Sequence, residues 1–229
     1  MTAVESQESF KLNRFLSRPL TVVFLKTPLK PNHITFFSLL FGIFSGVLFA
    51  EGRLEFSLLG ALSFQIAAVL DNCDGEIARA KNLKSNFGGW FDIIADVITD
   101  IALFSGLAVG ISKSGGVQWP VFPAAILCIC GSLLNFLIVW IEKTRGFGPA
   151  VFNQPHPQGL HRKNIFFLFV DALREGDSSW FVMLFALFNK LSYLLWFGAV
   201  YMQLLWISAL LLNFKWLFAF SLRTKENSK

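Results

Sequence analysis

Long apolar stretches recur along the chain, each near the roughly 20 residues that a helix needs to cross a bilayer, with short polar breaks between them. The first covers residues 33–50 and ends at Glu51, Gly52 and Arg53. The second covers 56–80 and the third 87–111, after which Ser114, Gly115 and Gly116 break the pattern and Trp119 and Pro120 mark an interface. A fourth covers 121–141 and leads into a polar, Gly- and Pro-rich loop over 142–163. Residues 165–172 are too few to cross and lie between Lys163 and Arg174, so they read as interfacial. A fifth span over 178–188 with its flanks and a sixth over 191–212 complete the pattern. The fold class this predicts is all-α: a bundle of six transmembrane helices. Residues 10–29 mix Lys11, Arg14, Arg18 and Lys26 with apolar positions, as an amphipathic helix lying on the membrane surface does. The whole of 1–229 reads as one membrane domain, with 1–30 a juxtamembrane segment and 31–220 the bundle.

Composition agrees. Hydrophobic residues make up 54% of the chain and its mean hydropathy is +0.56, values that exclude an ordinary water-soluble domain. The net charge of +5 raises the question of nucleic acid, but lysines and arginines gather at the ends of apolar spans. That placement suits anionic lipid headgroups, and no nucleic-acid partner is expected. Six spans put both termini on one side, and of the 20 basic residues only Arg53, Lys113 and Lys190 fall opposite. By the positive-inside rule that side is cytoplasmic. Arg14 and Arg18 interrupt the apolar core that a cleavable secretory leader requires. Cys73, Cys128 and Cys130 form neither a disulfide framework nor a zinc pattern, and His33, His156 and His161 lack metal-ligand spacing.

The chemistry lies in the acidic residues. The second span ends with Asp71 and Asp74 ahead of Gly75 and Arg79, and the third opens with Gly88, Asp92 and Asp96. An aspartate near the centre of a membrane helix costs about 2.5–3.5 kcal/mol by insertion scales, so four of them demand a neutralising partner. Asp71 and Asp74 are three apart and Asp92 and Asp96 four apart, so each pair shares a helical face. The link between the helices is short enough to enforce an antiparallel hairpin, which brings the four carboxylates together. Oxygen-only acidic ligands suit Mg²⁺ or Mn²⁺ rather than zinc, and four carboxylates suffice for two ions with positions left open for phosphate. Gly75 and Gly88 let a ligand approach the backbone, and Arg79 offers a planar cation to a diphosphate.

Two other readings compete. A lone Asp71–Arg79 salt bridge would be an ordinary bundle contact, but it leaves the other aspartates and both glycines without a reason. An ion-coupled transporter also carries intramembrane carboxylates, but spreads them through the bilayer depth. Here only Asp100, one turn beyond Asp96, extends that way, and it reads as a supporting or helix-packing residue.

The spacing resembles the signature of the CDP-alcohol phosphotransferases, D-x2-D-G-x2-A-R-x8-G-x3-D-x3-D. Asp71, Asp74, Gly75, Ala78, Arg79, Gly88, Asp92 and Asp96 meet every fixed position. Pro31, Asn32, His33, Ile34 and Thr35 ahead of the first span also resemble the family. The likeness implies a membrane enzyme of phospholipid biosynthesis that moves a phosphoalcohol group from a CDP-linked lipid or alcohol to an acceptor hydroxyl and releases CMP. It implies that Asp71, Asp74, Asp92 and Asp96 hold two divalent ions and that Asp96 doubles as general base. Nucleotide and diphosphate contacts carry over to Gly75, Arg79, Ser85, Gly88, Asn32 and Thr35. Lys143 and Arg145 resemble a Lys-x-Arg pair that binds the acceptor's phosphate in members using inositol phosphate. The opening of the chain, including Leu25, Lys26, Thr27 and Pro28, resembles prokaryotic enzymes that make inositol phosphodiesters. A water-soluble phosphorylated polyol acceptor, a prokaryotic cell membrane and a homodimer follow from the same resemblance.

Overall fold

In lipid the backbone N–H and C=O groups find partners only within the chain, so apolar runs of this length fold as helices. The computed structural model describes residues 12–115, 120–145 and 178–226 and contains only helices, turns and short links there. The helices are α1 (Leu12–Leu25), α2 (Pro31–Phe49), α3 (Leu54–Ala80), α4 (Asn86–Lys113), α5 (Val121–Arg145), α6 (Ser178–Leu187) and α7 (Leu191–Glu226). Five are long and apolar enough to cross a membrane: α2, α3, α4, the Val121–Ile141 part of α5 and the Leu191–Leu210 part of α7. The protein is an integral membrane protein. α6, with 10 residues, rises only about 15 Å, half the hydrocarbon thickness of a bilayer. The described residues thus hold five of the six expected spans. α5 continues to Arg145, so residues 142–145 of the loop expected over 142–163 are helical instead, because the backbone hydrogen bonding of the span carries on past its apolar part. The rest of that loop and the interfacial stretch over 165–172 lie outside the described residues.

Local chemistry sets the helix starts. Pro31 opens α2, where its missing N–H costs no hydrogen bond. Ser85 caps α4, its Oγ accepting the Gly88 amide at 3.0 Å. α2 packs against both α3 and α4, and α5 lies between α4 and α7. The α2–α4 seam is built on glycine: a Cβ at Gly106 would fall on the Gly46 carbonyl, and one at Gly110 on the Phe49 carbonyl. Close backbone packing of this kind holds helices together where water supplies no hydrophobic drive. The main apolar core, with Phe49, Phe104, Leu107 and Leu195, fills the end of the bundle away from the aspartates.

α1 reverses the usual amphipathic arrangement. Asn13, Ser17 and Thr21 recur every fourth residue and are buried, whereas Phe15, Val22 and Val23 are exposed. The polar stripe meets α3: Ser17 and Thr21 donate to the two carboxylate oxygens of Glu76 at 3.1 and 2.6 Å, and Gln65 donates to Asn13 at 2.7 Å.

Candidate active site

The α3–α4 hairpin turns over residues 81–85. Asn82 adopts a left-handed φ of 54°, a conformation asparagine tolerates better than most residues. Lys81 stays beside it and donates from Nζ to the Thr27 and Leu29 carbonyls at 2.9 and 3.0 Å, which fixes the α1–α2 link over the hairpin. The closing ends of α3 and α4 carry the acidic residues anticipated from the sequence.

Asp71, Asp74 and Asp92 each offer a carboxylate oxygen, and these atoms lie within 4.8 Å of one another. Metal–oxygen distances of about 2.0–2.6 Å put opposite ligands of one ion roughly 4–5 Å apart, so this donor set fits a hard divalent cation as it stands. Thr35 on α2 donates its hydroxyl to Asp74 Oδ2, orienting that carboxylate. Asp96, one turn along α4 from Asp92, presents an exposed carboxylate to the same cavity.

That cavity, of about 790 Å³, is lined mainly by α2, α3, α4, α5 and α7, with Asn13 of α1 and Ser178 and Ser179 of α6 also reaching it. Of the residues expected to meet the nucleotide, Asn32, Thr35, Gly75, Arg79, Ser85 and Gly88 all line it. A Cβ at Gly75 would lie 3.4 Å from an Arg79 guanidinium nitrogen, so the arginine folds over the glycine. A Cβ at Gly88 would lie 3.0 Å from Asn32 Oδ1 and 3.1 Å from Ser85 Oγ, so α2 and the α4 cap converge there. Thr35 and Ser85 are engaged with Asp74 and the Gly88 amide, so both build the site's frame. Lys143 donates to the Gly89 carbonyl at 3.0 Å and sits 5.1 Å from the centroid of the Trp90 ring. Partial burial lowers its ammonium pKa below the ordinary lysine value, and the Asp92 charge works against that shift. The Arg145 side chain lies outside the described residues.

Several contributors escaped the sequence reading. Glu76 and Lys81 stand inside or beside the motif without occupying its fixed positions. Asn135 and Ser132 of α5 also line the cavity, and their only signal was polarity within an apolar run.

The arrangement brings a divalent-cation donor set, a free carboxylate, an arginine and a lysine to one cavity at the end of a helical bundle. The CDP-alcohol phosphatidyltransferase family model matches residues 29–221. The chain belongs to that family. The structure of Mycobacterium tuberculosis phosphatidylinositol phosphate synthase with CDP-DAG bound aligns with a TM-score of 0.59 at 23% identity. The alignment covers 87% of this chain and 94% of that one. The same protein in complex with manganese and citrate gives 0.57 at 22% identity, covering 86% and 88%. At these identities the likeness is one of fold. A bifunctional IPC transferase and DIPP synthase of Aquifex aeolicus (strain VF5) is 33% identical over 127 residues. That match takes in 55% of this chain and 27% of the relative, so the chain spans about a quarter of that protein's length. The first residue of the family match, Leu29, is one of the two carbonyls that Lys81 holds, and α1 precedes the match entirely.

Proposed function

We propose that this CDP-alcohol phosphatidyltransferase transfers a phosphatidyl-type group from a CDP-linked lipid to the hydroxyl of a phosphorylated polyol and releases CMP. The carrying observation is the Asp71, Asp74 and Asp92 donor set, with Asp96 exposed in the same cavity. Asp71, Asp74, Asp92 and Asp96 are the residues that would hold two Mg²⁺ or Mn²⁺ ions. When bound, such ions supply Lewis-acid neutralisation of the diphosphate. Arg79 reaches the diphosphate through its planar guanidinium, and Gly75 leaves room for that approach. Asn32, Thr35, Ser85 and Gly88 frame the nucleotide end.

Asp96 takes the proton of the acceptor hydroxyl, and its exposure to the cavity supports this role. The acceptor oxygen forms a bond to the phosphorus remote from cytidine. The bond from that phosphorus to the bridging oxygen breaks, and its electron pair leaves with CMP. Lys143, with Arg145, binds the acceptor's phosphate. The names of the relatives support an inositol phosphate as that acceptor. The charge bias supports a cytoplasmic site, the apolar pattern of the sequence supports six crossings, and the resemblance to prokaryotic enzymes supports a prokaryotic cell membrane. α1 would lie in the interface with its exposed apolar face in lipid. A homodimer rests on family resemblance alone.

The test uses the purified protein with CDP-diacylglycerol, Mn²⁺ and myo-inositol 1-phosphate. CMP release is expected from the wild type. Asp96→Asn is expected to lower it by about 10²–10⁴-fold while the protein elutes unchanged on size exclusion. Unchanged turnover in that variant removes Asp96 as base. No CMP release with any acceptor removes the reaction.

A further inference from the structure

The cavity continues past the aspartate cluster into a second polar region that the proposed reaction does not use. Its register follows from two contacts between antiparallel α4 and α5. Lys143 Nζ donates to the Gly89 carbonyl at 3.0 Å, and Ser132 Oγ donates to Asp100 Oδ2 at 2.6 Å. Eleven residues separate the paired positions on each helix, so the helices stay in step along that length. In this register Asn135 stands across from Asp96 and Val97, with Asp100 and Ser132 about one turn deeper.

Asn135 is half-buried, lines the cavity, and makes no hydrogen bond among the described residues. A side-chain amide carries two donors and an acceptor, and leaving them unmet inside a membrane bundle is unfavourable unless a ligand or water takes them. Asp100 commits one oxygen to Ser132 and lines the same cavity. The region therefore offers an amide and a carboxylate. A carboxylate repels phosphate and accepts hydrogen bonds from hydroxyls. The cation lies at the other end: Lys143 is eight residues from Asn135, about 12 Å of helix rise. The cavity is thus polarised along α5, with a phosphate-attracting mouth and a hydroxyl-attracting floor.

We infer that Asn135, with Asp100 and Ser132 beneath it, forms a specificity-determining subsite for the non-reacting hydroxyls of a polyhydroxy acceptor. The inference rests on the proposed phosphotransfer and adds the residues that distinguish a ring or chain of several hydroxyls from a short alcohol. A site built around hydroxyls discriminates against acceptors lacking them because its own polar groups are then left unpaired.

The experiment compares wild type, Asn135→Leu, Asn135→Gln and Asp100→Asn with CDP-diacylglycerol, Mn²⁺ and either myo-inositol 1-phosphate or glycerol 3-phosphate. Asn135→Leu is expected to raise KM for the inositol phosphate about tenfold, to leave the donor KM within about twofold, and to erode the preference over glycerol phosphate. Asn135→Gln restores part of the loss, and Asp100→Asn shifts the acceptor KM more than the donor KM. Equal losses with both acceptors, or a change confined to kcat, overturn the subsite. Calorimetric binding of myo-inositol 1-phosphate in the presence of Mn²⁺ and CMP separates the two readings. Binding that weakens in Asn135→Leu keeps the subsite even where the wild type releases no CMP, whereas absent or unaltered binding overturns it.

Discussion

Thr35 shows how one hydroxyl ties two helices to the same chemistry. It sits on α2, yet its donated hydrogen bond goes to Asp74 on α3, a member of the cation donor set. A carboxylate held by a neighbour keeps one oxygen aimed and leaves the other for an ion. Removing such a support typically costs 10–100-fold in metal affinity or activity. Thr35→Val preserves the shape and deletes the donor. The Mn²⁺ concentration for half-maximal CMP release is expected to rise about tenfold or more, with a smaller change in the donor KM. If the donor KM rises and the Mn²⁺ dependence stays put, Thr35 serves the nucleotide directly. Ser85 works in a related way, since its oxygen caps α4 and thereby sets the first turn of that helix, in which Gly88 lies.

At the scale of elements, α1 is attached to the α3 motif helix by polar contacts. Glu76 lies two residues beyond Asp74 and accepts from both Ser17 and Thr21. Hydrogen bonds to a charged acceptor contribute about 1.5–3 kcal/mol each, and the part-buried setting of these two reduces screening by solvent. Glu76→Ala removes the acceptor that Ser17 and Thr21 share, leaving Ser17 only its contact with the Arg14 carbonyl, and is expected to loosen α1. The readout is faster amide hydrogen exchange over Leu12–Leu25 in nanodiscs, with α4 unchanged. Unaltered exchange would mean that lipid contact with Phe15, Val22 and Val23 holds α1 without help from α3. The α2–α4 seam behaves differently, because its glycines bring backbones into contact and fix the height of Asn32 and Thr35 relative to Gly88 and Asp92.

For the whole molecule, the carboxylates concentrate at one end of the bundle and the apolar core fills the other. This asymmetry favours surface chemistry over transport, which needs ionisable groups along a path through the bilayer. Single-cysteine labelling in oriented vesicles tests the layout. Cysteines at Lys84 and Lys143 are expected to react with an impermeant maleimide from one face, and cysteines at Arg53 and Lys113 from the other. Reaction of all four from one face would break the bundle's assignment. The same sealed vesicles are expected to release CMP without moving solute.

The sequence by itself determined the apolar spans, the positive bias and the spacing of Asp71, Asp74, Asp92 and Asp96, because helix period and hairpin length are local properties. Five long spans appear near the expected limits, whereas the span expected over 178–188 appears among the described residues as the 10-residue α6. Tertiary structure decided what depends on neighbours far along the chain. Thr35 found Asp74 across 39 positions, Ser17 found Glu76 across 59, and Asp100 found Ser132 across 32. It also turned the polar stripe of α1 inward and aligned Asn135 with Asp96. Those outcomes follow from the register between packed helices, which side-chain contacts set and which no periodicity within a single helix encodes.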